Sequence, residues 1–482
     1  MLRRGDIALA TCNRGHRIDF RVIVIALMVI LTLIVAIFIN TKNSNPTNIA
    51  NNDLSLDNGD ENINWNNYQT TDIDLPNITT ITKSGIYHLT GTLSDAPIVI
   101  DANNNNVKLI LDNVTVDNSS GPAIACYSAN NLVIELVGNN NLTDGTSYDQ
   151  SYDEDVNGVI YSKADLTFQG SGLLYLTANY QDGIVGKDDI KFNDGHYSIN
   201  AVDDGIRGKD SVHIVNGSFT INTTADAIKS TNDTDTGKGF VLIEDGIFFI
   251  DAGDDGIRAS RKLRIDGGTI TISKAYEGLE AQVIVVNGGD ISLTTNDDGI
   301  NAGNSSETSS TGRPNDTDLN CILSINGGNI YINASGDGVD SNGYIYFNGG
   351  TTIIDGPTSN GNGALDSGVG ITMDGGTVIA VGSNGMAETL GNTSSVYNIS
   401  VFFPSQLEPN TRIDIKDNSG NTIISHVSAK SFSYLAAGTP DFTPNETYTI
   451  YLNDQKYQDF IISGVTTTIG NNNNIFNNGF RR

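Results

Sequence analysis

One phrase recurs between Asp182 and Asn342 and constrains the fold more than any other feature of the chain. It reads Asp182-Gly183-Ile184, Asp204-Gly205-Ile206, Asp226-Ala227-Ile228 and Asp255-Gly256-Ile257. It continues more loosely as Glu277-Gly278-Leu279, Asp298-Gly299-Ile300 and Asp337-Gly338-Val339. The steps between first residues are 22, 22, 29, 22, 21 and 39 residues, and the two long steps read as insertions. A turn-closing glycine stands 9 residues before each acidic position from Asp204 onward, at Gly195, Gly217, Gly246, Gly268, Gly289 and Gly328. Two features that hold one offset mark a true repeat. Self-similarity with a period of about 20–50 residues belongs to solenoids and arrays.

Within each unit the apolar residues alternate over short runs, as in Ser218-Phe219-Thr220-Ile221-Asn222 and Thr269-Ile270-Thr271-Ile272-Ser273. That is the period of a strand, not of a helix. Glycine, asparagine and aspartate separate the runs, as tight turns with positive φ require. Short strands, tight turns and a 22-residue coil without an amphipathic helix predict an all-β fold, a parallel β-helix. Each coil is one rung, stacked on the next at about 4.8 Å.

The ends of the chain read differently. Residues 20–39 carry no charge except Arg21 at the edge and are almost wholly apolar, and Arg3, Arg4, Arg14 and Arg17 precede them. Twenty residues at 1.5 Å each span a bilayer core of roughly 30 Å. The basic flank predicts a cytoplasmic amino terminus, residues 1–19. The run is long for a signal-peptide core and Asn40-Thr41-Lys42-Asn43 offers no small-residue cleavage site, so an uncleaved transmembrane helix is expected. Residues 40–67 read as a flexible linker, 68–393 as the β-helix with its own first rungs as a cap, 394–465 as a small carboxyl-terminal β cap, and 466–482 as a disordered tail. The expected location is the cell membrane, single-pass, with the bulk of the chain outside.

Fifty-six acidic against 27 basic residues give a net charge of −29. That argues against nucleic acid as a partner, because such binding neutralises phosphates with cations. It suits an exported protein in contact with divalent cations. Cys126 and Cys321 lie far apart in solenoid order and read as buried small hydrophobes rather than a disulfide. Sequons at Asn77, Asn141, Asn222, Asn333 and Asn445 permit glycosylation without requiring it.

Stacking turns each position of the phrase into a column. The first position gives Asp182, Asp204, Asp226, Asp255, Glu277, Asp298 and Asp337, and the preceding position adds Asp203, Asp254 and Asp297. Three residues after the first position come Val185, Arg207, Lys229, Arg258, Glu280, Asn301 and Asp340. Carboxylates about 5 Å apart repel one another, so something must neutralise them. Arg207, Lys229 and Arg258 can do so in the early rungs. In the late rungs Glu280 and Asp340 replace the cations. Oxygen-rich clusters of this kind suit Ca²⁺. The alternative is that each aspartate only accepts from N–H groups of its own turn. Candidate metal ligands are therefore Asp182, Asp203, Asp204, Asp226, Asp254, Asp255, Glu277, Asp297, Asp298, Asp337 and Asp340. Arg207, Lys229 and Arg258 are candidate ligand-binding residues for an acidic polymer.

The run Leu111-Asp112-Asn113-Val114-Thr115-Val116 through Gly121-Pro122-Ala123-Ile124 and the Asp-Gly-Ile phrases carry a resemblance. So do Gly385-Met386-Ala387-Glu388 and Asn445-Glu446-Thr447-Tyr448-Thr449-Ile450-Tyr451. Over roughly 72–464 the chain resembles the carbohydrate-binding domain-containing β-helix family. The resemblance implies a calcium-bound, right-handed parallel β-helix that binds polygalacturonate and cellulose and is similar in fold to family 9 polysaccharide lyases. The sequence departs from the pattern at Asp226-Ala227, at Glu277 and at the late copy around Asn362.

Three functions fit these residues: polysaccharide binding through a Ca²⁺-bearing face, a lyase-like elimination, and a surface adhesin or scaffold without sugar specificity. An eliminating enzyme needs a basic residue with a lowered pKa, and the carboxylates around Lys229 should raise it instead. No pair of glycosidase acids can be separated from the repeat. Binding is the reading carried forward, with no catalytic residue assigned.

Overall fold

A computed structural model describes residues 54, 56, 62–304 and 317–471. The expected cytoplasmic segment and transmembrane helix, most of the linker and most of the tail lie outside the described residues. Among the described residues, no helix is long and apolar enough to cross a membrane.

The fold is a β-solenoid. The rung that opens at Asp204 contains three short strands, Ile206–Gly208, Ser211–Ile214 and Ser218–Thr223. The next contains Ile228–Ser230, Phe240–Ile243 and Ile247–Asp251. Each strand pairs in parallel with its counterpart one rung away: Ile206 with Ile228, Val212 with Val241, Phe219 with Phe248. Repeated along the chain, this register builds three parallel sheets, called first, second and third here in the order of the strands within that rung. Both long steps of the repeat are insertions between the first and second strands. One lies between Ser230 and Phe240. The other lies between Ala302 and Ile322, and its residues 305–316 fall outside the described set.

The alternation read from the sequence places one set of side chains inside. The isoleucines of the repeat phrase stack as Ile184, Ile206, Ile228, Ile257, Leu279, Ile300, Val339 and Leu365, all buried. Aromatic rings do the same in the core. Phe168 stacks on Phe192 at 4.8 Å, Tyr197 on Phe219 at 4.8 Å and Phe219 on Phe248 at 4.9 Å. The ring separation equals the strand separation, about 4.8 Å, so a residue type suited to one rung suits the next. Each fully buried phenylalanine contributes at most roughly 3 kcal/mol by area.

The two glycines of the repeat have different causes. Gly217 and Gly268 close turns at φ 136° and 92°, where a side chain is strained. Gly205 and Gly299 of the Asp-Gly phrase are needed for space. A Cβ on Gly205 would lie 2.5 Å from the carbonyl oxygen of Ala227, and one on Gly299 would lie 2.5 Å from that of Gly338. The backbone of the next rung passes where a side chain would begin.

Residues 145–157 form a turn outside the first rungs, held by tyrosines: Tyr148 stacks on Tyr180 at 4.5 Å, and Tyr161 beneath is fully buried. At the other end the last rung's strand Thr377–Gly382 pairs antiparallel with Phe432–Gly438, which pairs antiparallel with Asn398–Leu407. Arg412–Asp417, Thr422–Val427, Thr447–Leu452 and Gln455–Ile461 form a separate antiparallel sheet. The buried Asp355 joins the two parts: its carboxylate accepts from Tyr331 Oη at 2.8 Å and Ala429 N at 3.0 Å, and pairs with His426 Nε2 at 2.7 Å.

Candidate metal and ligand-binding face

The first strands and the turns before them carry the acidic column, and five of its aspartates divide their two oxygens between two tasks. Oδ1 accepts a hydrogen bond from the backbone one rung on. Asp182 accepts from Asp204 N at 3.1 Å, Asp204 from Asp226 N at 3.2 Å and Asp226 from Asp255 N at 3.0 Å. Asp298 accepts from Asp337 N at 2.6 Å and Asp337 from Gly363 N at 2.5 Å. The backbone partner is thus in the next rung, not in the residue's own turn. Such a bond uses one oxygen and leaves Oδ2 of each carboxylate for a cation.

In the early rungs the chain supplies that cation itself. Arg207 donates to Asp182 Oδ2 and its Nε is 3.6 Å from Asp204 Oδ2. Lys229 Nζ is 3.0 Å from Asp204 Oδ2 and 2.9 Å from Asp226 Oδ2. Arg258 reaches Asp255 at 3.6 Å and Glu280 at 2.8 Å, with Asp226 at 4.0 Å. Each cation therefore bridges successive rungs. Burial raises the pKa of Asp204 to about 6 despite Lys229, and burial also raises Asp182 against the pull of Arg207. Burial works to lower the Lys229 pKa, but Asp226 and Asp204 outweigh it, and the net shift is upward. Burial and the neighbouring carboxylates Glu280 and Asp226 push Asp255 up.

The late rungs lack this arrangement. Asp340 stands in register with Asn301 and Asp366, where the early rungs have arginine and lysine. One oxygen each from Asp298, Asp337 and Asp340 lie within 4.8 Å of one another. Among the described residues, no lysine or arginine is in ion-pair range of these three. Burial, then neighbouring carboxylates, raise the pKa of Asp298 to about 6, Asp337 to about 7 and Asp340 to about 8. Burial with Glu280 and Asp298 raises Glu277 to about 8, although Asn301 Nδ2 donates to both its oxygens at 3.2 and 3.1 Å. Several carboxylates in one place, all resisting ionisation, form a hard-oxygen donor set that a divalent cation suits.

Of the residues singled out from the sequence, Asp182, Asp203 and Asp204 converge, as do Asp226, Asp254 and Asp255. Asp255 and Glu277 converge with Glu280. Asp297 precedes Asp298 but joins none of these groups. Arg207, Lys229 and Arg258 are all committed to carboxylates of the chain, with about a quarter of each side chain exposed. A further acidic group, Asp165, Asp188 and Asp189, lies at the start of second-sheet strands. Burial, Asp210 and Asp189 push Asp188 up to about 6. Its signal was available, since Asp189 follows Asp165 by 24 residues, but it lies outside the Asp-Gly-Ile phrase.

Comparison with known proteins gives one family. The profile of the family "Carbohydrate-binding domain-containing protein" matches residues 76–313. A carbohydrate-binding domain-containing protein of Acetivibrio thermocellus is 39% identical over 210 residues, which are 42% of this chain and 73% of that protein. The solved structure of a polysaccharide lyase-like protein from C. thermocellum, a gadolinium derivative, is 30% identical. It aligns over 46% of this chain and 92% of its own, with a TM-score of 0.41.

Proposed function

Because the chain belongs to the family of carbohydrate-binding domain-containing proteins, we propose that it binds an acidic polysaccharide, polygalacturonate-like, through Ca²⁺ on the acidic column of its solenoid. The observation that carries this reading is the cluster of Asp298, Asp337 and Asp340, whose carboxylates lack the internal cations of the earlier rungs. Asp298 and Asp337 keep Oδ1 on the backbone and offer Oδ2, and Asp340 adds a carboxylate from the neighbouring column. Bound Ca²⁺ would join protein carboxylates to those of a uronate chain. Arg207, Lys229 and Arg258 neutralise the early column and leave part of each side chain for an anionic ligand. The raised pKa of Lys229 speaks against its service as a base, and with it against an elimination at this point of the face.

The remaining expectations join this reading as proposals. The apolar run 20–39 anchors the chain in a membrane, and the solenoid stands outside. The coil is taken as right-handed, the sense that parallel crossover connections nearly always adopt.

Affinity electrophoresis of the full-length chain through gels containing polygalacturonate tests the proposal, with Ca²⁺ in one gel and chelator in the other. Retardation with Ca²⁺, abolished by chelator and by the D337N/D340N pair, is expected, without ultraviolet absorbance from unsaturated products. Retardation that survives chelation, or none in either gel, would overturn the reading.

A further inference from the structure

The third sheet turns an uncharged and partly apolar face outward. Alternate side chains of its strands Leu173–Ala178, His196–Ala201, Ser218–Thr223 and Ile247–Asp251 fill the core, and the others point away from it. One outward column reads Leu173, His196, Ser218 and Ile247, and the column beside it reads Tyr175, Ser198, Thr220 and Phe249. Tyr175 is 45%, Ile247 47% and Phe249 53% exposed. The rung before adds Asn139 and Asn141 to these columns, and the rung after adds Thr269 and Thr271. Large apolar side chains thus stand on two rungs, with small hydroxyl residues and one histidine between them. Grouped exposed apolar side chains of this kind mark interaction surfaces.

The charge of the chain points to the occupant. At −29, two copies of the protein repel one another. Over six rungs the two columns contain no lysine, arginine, aspartate or glutamate. In the next column Asp251 is balanced by Lys274 at 3.5 Å. Two copies can therefore meet on this face at little electrostatic cost.

The order of residues is also self-complementary. A half-turn about an axis parallel to the strands, midway between the rungs of His196 and Ser218, reverses the order of the rungs and keeps the position along each strand. Tyr175 of one copy then faces Phe249 of the other, Leu173 faces Ile247, Ser198 faces Thr220, and Asn141 faces Thr271. A twofold interface requires such an exchange, residue i on j and j on i. Face-to-face sheets lie about 10 Å apart, which lets the side chains meet and the two ring pairs stack. Six rungs of about 4.8 Å by six residues of about 3.3 Å offer roughly 600 Å² on each copy. That total of about 1,200 Å² lies at the lower end of stable interfaces, so the association should be reversible.

We propose that the third sheet is the contact face of a reversible twofold dimer of this chain, with the two solenoids antiparallel. The dimer does not depend on the acidic column, and either reading can fail without the other.

The first test is sedimentation equilibrium of the full-length chain in detergent micelles with chelator present, so that no metal bridges the copies. A monomer–dimer equilibrium is expected, weakened about tenfold or more by I247D/F249D. Both replaced side chains are exposed, and a circular dichroism melt checks that the variant folds. The second test reads the geometry. Y175C and F249C are purified separately in a Cys12→Ser background, mixed, and treated with a short bis-maleimide; Cys126 and Cys321 are buried. The mixture should give cross-linked dimer and each variant alone far less, because like positions in the two copies are three rungs apart, about 14 Å along the stack. A monomer at every concentration, which would give the face to a different partner, would overturn the proposal. So would a dimer that I247D/F249D leaves intact, or cross-linking as strong in one variant alone as in the mixture.

Discussion

Replacement of Asp340 by asparagine should make the protein more stable in chelator and remove most of its stabilisation by Ca²⁺. An ordinary aspartate ionises near 3.8, and Asp340 is pushed up to about 8 by burial and by Asp366, Asp298 and Asp337. At pH 7 the folded chain therefore holds a proton that the unfolded chain would release. Over the 7 − 3.8 interval, at about 1.4 kcal/mol per unit, that costs roughly 4 kcal/mol, and residual exposure reduces it to about 2–3 kcal/mol. Asparagine keeps the shape and removes the cost, so the metal-free variant should melt several degrees higher. In Ca²⁺ at a hundredfold excess over its dissociation constant the parent gains about 2.7 kcal/mol, and the variant loses most of that gain. The sign also sets the pH dependence. A carboxyl group with a raised folded pKa contributes its stability below the unfolded value near 4 and loses it as pH rises through about 8. The metal-free parent should lose melting temperature between pH 5 and 8.5, and the variant should lose less. Circular dichroism melts in chelator and in Ca²⁺ across that range check all three points. A variant that is destabilised in chelator, or that keeps the full response to Ca²⁺, would refute the argument.

Arg258→Ala leaves Asp255 and Glu280 without their shared cation; the chelated protein should lose about 3–5 kcal/mol, and Ca²⁺ should restore part of it, as melts with and without metal would show. Asp226→Asn keeps an acceptor for Asp255 N whereas Asp226→Ala does not, so in denaturant titrations alanine should cost about 1–3 kcal/mol more than asparagine. Asp355→Ala should free the carboxyl-terminal strands, giving proteolytic cleavage between the solenoid and that unit while the rungs stay protected. His426 and other hydrogen bonds hold the Asp355 carboxyl below its usual range against burial. Its contribution is present above the unfolded pKa and is lost as pH falls through the lowered folded value, so the parent should become cleavable there in acid.

The solenoid was legible because a rung is a local object. Ile206, Ile228 and Ile257 announce their stacking by spacing alone, and Gly217 announces its turn by residue type. The acidic column was legible for the same reason, including the change from Arg258 to Glu280 and on to Asp340. The division of labour between Oδ1 and Oδ2 was not, because it depends on where the next rung's N–H points. Nor was the cause of Gly205, which answers to a carbonyl 22 residues away at Ala227. Asp355 escaped notice because His426 is 71 residues distant and belongs to no repeat.

The direction of the inter-rung bonds sets how this molecule carries force. Backbone bonds and the Asp Oδ1 bonds alike join each rung to the next, along the axis of the stack. Tension along that axis loads only non-covalent links, and tension across it runs through the covalent chain of a rung. A load applied end to end would peel the stack from a terminus one rung at a time, each step releasing about 22 residues of slack. Rungs bridged by Arg207, Lys229 and Arg258 carry an extra cross-link at every step. The late rungs, if Ca²⁺ occupies them, would become stiff or compliant with the concentration of that ion.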